Sequence, residues 1–146
     1  MKVLALFLLT IFLNKGCCEG DAQKKMQKAQ LIYTATSRGF FREIIIKNKE
    51  VSVQSNRKEN IVTTKINDTD WKELIHLFNE VHLETIKDLK SPTEKRFYDG
   101  AAIAQLKIVF EGNTYESQSF DHGYPPEALQ TLVTKINSFA KQNNEN

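Results

Sequence analysis

The stretch NDTDWKELIHLFNEV, Asn67 to Val81, holds the single tryptophan of the chain, and its reading decides how the rest must be arranged. Its apolar side chains fall at Trp71, Leu74, Ile75, Phe78 and Val81, the spacing of one buried stripe on an α-helix. Lys72, Glu73, Asn79 and Glu80 fall off the stripe. Asn67 is placed to cap free N–H groups of the first turn. Asp68 and Asp70 put negative charge at the positive end of the helix dipole. Ile66 and Trp71 are spaced for a hydrophobic staple across the cap. Burying each large side chain of the stripe stabilises the domain by about 1.5–3 kcal/mol. A helix this short is marginal alone, so the remaining chain must supply a surface for it.

On both sides of this helix the period changes to two. Leu31 to Thr36 is rich in β-branched and aromatic residues, Ser37-Arg38-Gly39 breaks it, and Phe40 to Lys47 follows as a second strand. Its consecutive Ile44, Ile45 and Ile46 suggest cover on both faces. Asn48-Lys49 suits a two-residue turn, after which Glu50 to Ser55 alternates with Val51 and Val53 on one face. A charged loop, Asn56 to Asn60, leads to a fourth, edge strand over Ile61 to Ile66. Beyond the helix, Leu83 to Leu89 suggests a helical turn, which Ser91-Pro92 ends. Ala102, Ala104, Leu106, Ile108 and Phe110 then face one way, with Gln105 and Lys107 opposite. Glu111-Gly112-Asn113 turns the chain, and Thr114 to Phe120 returns as one strand. Gly123-Tyr124-Pro125-Pro126 stops the sheet, with Pro126 suited to the first helical position. Leu129, Leu132, Val133, Ile136 and Phe139 make a second apolar stripe. The expected fold is α+β: a two-layer sandwich over residues 31–140, with an antiparallel sheet of about five or six strands and two amphipathic helices on one face. A polar, disordered tail is expected over 141–146.

The chain starts with Lys2 and an unbroken apolar run, Val3 to Leu13. A helix needs about 20 residues to span a bilayer, so this run is too short, but it suits the core of a secretory signal. Cys17 and Cys18 are the only cysteines. Gly16-Cys17 resembles the last step of a bacterial lipoprotein signal, with a relaxed box at Asn14 and Lys15. There the cysteine is lipidated and becomes the first mature residue. Leader, cysteine, polar stretch and small domain together resemble the small bacterial envelope lipoproteins that carry no assigned role. The resemblance implies signal peptide 1–16, lipidation of Cys17, a tether over 17–30 and the membrane as a partner. The alternative is an ordinary signal cut after Cys17 or Cys18, leaving a secreted or periplasmic soluble protein. Glu19 to Gln30, rich in Lys and Gln with only Met26 in any apolar rhythm, reads as a solvated spacer.

From Glu19 onward there is no cysteine, which excludes a disulfide or a thiolate metal site in the body. Of the 20 basic residues, Lys2 and Lys15 lie in the leader; the remaining ones balance the 18 acidic residues. A neutral body argues against nucleic acid as a partner, because that affinity rests on excess Lys and Arg.

Chemistry-bearing residues gather in three loops: Ser37-Arg38-Gly39-Phe40-Phe41, Lys95-Arg96-Phe97-Tyr98-Asp99-Gly100 and Phe120-Asp121-His122-Gly123-Tyr124. The last two flank the final hairpin, and antiparallel pairing returns them to one edge. Three readings arise. An acid–base enzyme would use His122, oriented by Asp99 or Asp121. A structural knot would pair Arg96 with an aspartate, use the aspartates to satisfy turn N–H groups, and cover the sheet end with tyrosines. A binding patch would expose Arg38, Arg96, Tyr98, Asp99, Asp121, His122 and Tyr124 to an envelope protein or polymer, and an inhibitor of a secreted enzyme would use the same kind of surface. No nucleophile elbow, phosphate-binding glycine loop or zinc-protease helix is present. His76 and His82 are spaced off a common helix face and do not read as metal ligands. No cofactor is expected.

Overall fold

The computed structural model describes residues 17–142. The expected leader, 1–16, and the last tail residues, 143–146, lie outside the described residues. The fold is α+β. Strands β1 (Ala29–Thr36), β2 (Phe41–Lys47), β3 (Glu50–Gln54), β4 (Val62–Lys65), β5 (Ile103–Phe110) and β6 (Asn113–Glu116) form an antiparallel sheet in the order β4-β3-β2-β1-β5-β6. A short β7 (Phe120–Asp121) pairs with β5 beyond β6.

Alternation along each strand builds one apolar face. Leu31, Tyr33 and Ala35 of β1, Ile44 and Ile46 of β2, Val51 and Val53 of β3, and Ala104, Leu106 and Ile108 of β5 are all buried. Helix α2 (Asp68–Asn79) covers this face with Trp71, Leu74 and Phe78, and α3 (Gln130–Gln142) with Leu132, Val133, Ile136 and Phe139. The cap works as the sequence suggests: Asn67 Oδ1 accepts from Asp70 N at 2.9 Å. A polar clamp joins the two helices. Lys135 on α3 reaches Asp70 of α2 at 2.6 Å and also pairs with Glu73. Burial alone would lower the Lys135 ammonium, but the two carboxylates outweigh it and raise it above the ordinary lysine value.

Four details differ from the sequence reading. The polar stretch read as a spacer is helical: α1 (Cys17–Lys28) runs directly into β1, which starts two residues earlier than Leu31. Met26 seats it, fully buried in the common core. Ile45 is half-buried and lies on the opposite face from the helices, between Ile32 and Ser52 on the neighbouring strands, so β2 is covered on one face only. Pro126 precedes a 3-10 turn, Glu127–Leu129, and α3 itself starts at Gln130 and runs on through Lys141, where fraying was expected.

The fourth difference sets up the site. The final hairpin turns on Glu111 and Gly112, both at positive φ, so Asn113 already belongs to β6. The returning strand is then interrupted. Lys107 pairs with Glu116 and Ala104 with Phe120, so Ser117, Gln118 and Ser119 oppose only Gln105 and Leu106. This is a one-residue bulge. Ser117 heals it: its N–H donates to Leu106 O at 2.9 Å, and its hydroxyl accepts from Leu106 N at 3.1 Å. The extra residue resets the alternation, placing Phe120 in the core and turning Asp121 to the other side of the ladder. Replacing Met26 with Ala tests the packing of α1: a free spacer would tolerate it, whereas loss of a fully buried methionine is expected to cost about 2–4 kcal/mol in urea unfolding.

Candidate functional site

At the end of the sheet where β1 meets β2, Thr36 pairs with both Phe41 and Ile103, and Ile103 pairs with Asp121. The residues of the three loops therefore meet here. Asp121 is the centre. It is fully buried, and its carboxylate accepts four hydrogen bonds. Thr93 Oγ1 and Lys95 N donate to Oδ2 at 2.5 and 2.7 Å. Arg96 N and Arg96 Nη1 donate to Oδ1 at 3.0 and 3.1 Å. The two backbone donors open a 3-10 turn, Lys95–Tyr98, so Asp121 acts as a cap delivered from a distant strand. The guanidinium closes the network by donating also to Thr93 O at 2.8 Å. Burial alone would raise the Asp121 carboxyl. The Thr93 hydroxyl, Arg96 and Lys95 outweigh burial and hold it down to about 2.

The far end of this turn is exposed. Asp99 takes the left-handed conformation at φ 58°, and Gly100 N donates back to Lys95 O at 2.8 Å. A Cβ on Gly100 would lie 3.1 Å from the Tyr98 ring and 3.2 Å from Lys95 O, a tight contact that its neighbours would have to ease. Phe97 and Tyr98 consequently stand out at 71% and 72% exposure, with Ile103 and Tyr124 beside them at 49% and 47%. The neighbouring cations lie over rings: Arg96 over Phe97 at 4.3 Å and Lys95 over Tyr124 at 4.2 Å.

His122 turns the opposite way. Its Nδ1 lies 2.7 Å from the hydroxyl of Tyr33, which is fully buried, and its ring packs on Phe40 at 5.1 Å between centroids. Burial pushes the Tyr33 hydroxyl up to about 12, so it remains protonated. Burial, followed by the charge of Arg42, lowers His122 from its ordinary value. No aspartate is hydrogen-bonded to His122 among the described residues, and the Asp121 oxygens are occupied elsewhere. The expected cluster thus divides: Arg96 and Asp121 join, Asp99, Tyr98 and Tyr124 rim them, His122 faces the core side, and Arg38 lies exposed in the β1–β2 loop. Three residues that the sequence reading did not single out belong to this end: Arg42, which stacks on Phe40, Arg57, which stacks on Phe41, and Ile103. A compositional signal was present, since Arg38, Arg42 and Arg96 each lie within two residues of a phenylalanine.

His76 pairs with Glu80 on exposed α2 surface, and among the described residues no three of His, Cys, Asp and Glu converge as a metal group would need. Nor, among them, is any helix long and apolar enough to cross a membrane. No family model, curated protein or solved structure matches the chain.

Two variants separate the knot from its rim. Asp121→Asn leaves Arg96 buried without its partner and is expected to cost about 3 kcal/mol or more in urea unfolding. Asp99→Gly relieves a left-handed residue and is expected to range from neutral to about 1 kcal/mol stabilising. The pH profile has a matching sign. Both Asp121 and His122 have depressed folded values, so their contributions are complete above the ordinary values of 3.8 and 6.5 and fade as pH falls through the folded ones. The thermal midpoint is therefore expected to fall in two stages on acidification, and His122→Phe is expected to remove the earlier stage.

Proposed function

We propose that this chain is a non-enzymatic recognition domain of the bacterial cell envelope, anchored through a lipid on Cys17, which meets its partner with the sheet end around Arg96–Asp99 and Asp121–Tyr124. One observation carries the reading. Phe97 and Tyr98 are large, apolar and exposed, yet the turn that bears them is fixed by a buried carboxylate with four donors. Exposed aromatics on rigid backbone lose little entropy on binding, and Tyr and Arg dominate interface hot spots. The acid–base alternative built on His122, Asp121 and Asp99 has weaker support. A general base needs a partner that orients it, and here that partner is the Tyr33 hydroxyl rather than a carboxylate. An inhibitor of a secreted enzyme would be one member of the recognition class.

Support for the anchor comes from the leader and from Gly16-Cys17. Metabolic labelling with a fatty acid tests it: the wild-type protein is expected to take the label and Cys17→Ala to lose it, while an ordinary secretory signal would leave both unlabelled. Capture from an envelope extract tests the recognition surface. A partner held by the wild type is expected to be held equally by Lys47→Ala, at the other end of the sheet, and lost by Phe97→Ala/Tyr98→Ala at an unchanged thermal midpoint. Identical capture by all three proteins would overturn the assignment of this surface.

A further inference from the structure

The chain has four arginines, Arg38, Arg42, Arg57 and Arg96, and all four lie at this one end of the sheet, while the 14 lysines among the described residues are spread over the molecule. The placement follows from the register. Arg38 is in the β1–β2 loop, Arg42 pairs with Ala35 near the end of β1, and Arg96 is held by Asp121. Arg57, from the loop between β3 and β4, reaches across β2 to donate from Nη2 to Thr36 Oγ1 at 2.9 Å. Three of the four guanidiniums lie over phenylalanine rings: Arg42 over Phe40 at 5.4 Å, Arg57 over Phe41 at 5.2 Å and Arg96 over Phe97 at 4.3 Å.

Only Arg96 has a carboxylate. Glu43, Glu59, Glu94 and Asp99 share this end, yet none lies within ion-pair distance of Arg38, Arg42 or Arg57 among the described residues. Arg42 also keeps a buried Nε–H without an acceptor. Arg38 and Arg57 thus share this end of the sheet with exposed Phe97, Tyr98 and Ile103, and neither is paired with a carboxylate among the described residues. A guanidinium stacked on a ring is pre-oriented, and its planar fork matches a carboxylate with two parallel hydrogen bonds.

Resting on the recognition reading above, we propose that the partner is an acidic protein segment, whose carboxylates are taken by Arg38 and Arg57 while an apolar or aromatic side chain lies on Phe97 and Tyr98. The span fits. From β2 through β1 and β5 to β7 is three strand spacings, on the order of 14 Å, or roughly four to five residues of extended peptide. Other polyanions fit less well. A nucleic acid or an anionic bilayer is held by the number of positive charges, for which lysine serves as well as arginine. A surface that gathers all four arginines and stacks three of them on rings is organised for geometry rather than for total charge.

Fluorescence anisotropy with a labelled random copolymer of Glu and Tyr tests the proposal on the full-length protein. Arg38→Ala/Arg57→Ala is expected to weaken binding about tenfold or more. Lys47→Ala/Lys65→Ala makes the same charge change at the far end of the sheet and is expected to stay within about twofold of wild type. Arg38→Lys/Arg57→Lys keeps the charge but removes the forks, and is expected to bind nearly as weakly as the alanine pair; it also serves if that pair does not fold. No binding of the copolymer, equal losses in the two alanine pairs, or full rescue by lysine would each overturn the acidic-segment proposal. So would Arg38- and Arg57-dependent binding to phosphatidylglycerol vesicles without binding to the copolymer, which would assign the surface to lipid. Any of these leaves the Phe97/Tyr98-dependent capture standing, so the two failures are distinguishable.

Discussion

A carboxylate removed from water must be answered by donors, and the answer Asp121 receives organises one end of this molecule. Leaving such a charge unpaired would cost several kcal/mol. Its donors come from Thr93, Lys95 and Arg96, which precede it by 25 to 28 residues in the chain. The long connection from α2 to β5 is thereby tied to the sheet at one point. The bulge at Ser117–Ser119 is the condition for this. Without its extra residue the alternation would place Phe120 opposite Ile103 and move it out of the core. The hydroxyl of Ser117, which takes the acceptor position at Leu106 N, therefore supports the Asp121 network from four residues away.

The parts of the fold written as periodicity were readable before any coordinates. The stripes of α2 and α3 and the alternation of β5 are long and regular, and packing had no reason to contradict them. Antiparallel pairing alone was enough to place Arg96 near Asp121. What escaped notice lacked a periodic signal. Among its described side chains helix α1 presents one buried residue, Met26, amid lysines and glutamines, so its packing is invisible to a pattern that needs several apolar positions. The bulge has no composition of its own. Ile45 is apolar on a solvent-facing side, and a run of three isoleucines cannot say which of them is covered.

The division between Asp121 and His122 falls where the last strand ends. Strand β7 stops at Asp121 and His122 opens the turn that follows, so the two side chains leave the chain on different elements. Asp121 turns to the 3-10 turn, and His122 turns to Tyr33 and Phe40. The two polar centres at this end are therefore separate devices. One fixes the turn that carries Phe97 and Tyr98. The other satisfies the hydroxyl of a tyrosine that the core has buried.

The distribution of cations completes the argument. Lysine serves this protein mainly in ion pairs, as in the clamp from Lys135 to Asp70 and Glu73 and the pair Lys107–Glu116. Three of the four arginines lie over a phenylalanine ring, and Arg96 is held in the Asp121 network as well. A stacked guanidinium gives up less freedom per hydrogen bond than an ammonium on a four-carbon stem. Fold stability alone explains Arg96, which answers Asp121. It does not explain Arg38, which is exposed, or Arg57, which crosses a strand to rest on Phe41 while most of its donors remain unused. A guanidinium held in a fixed plane with open donors, as Arg57 is, is organised toward a partner rather than toward the interior.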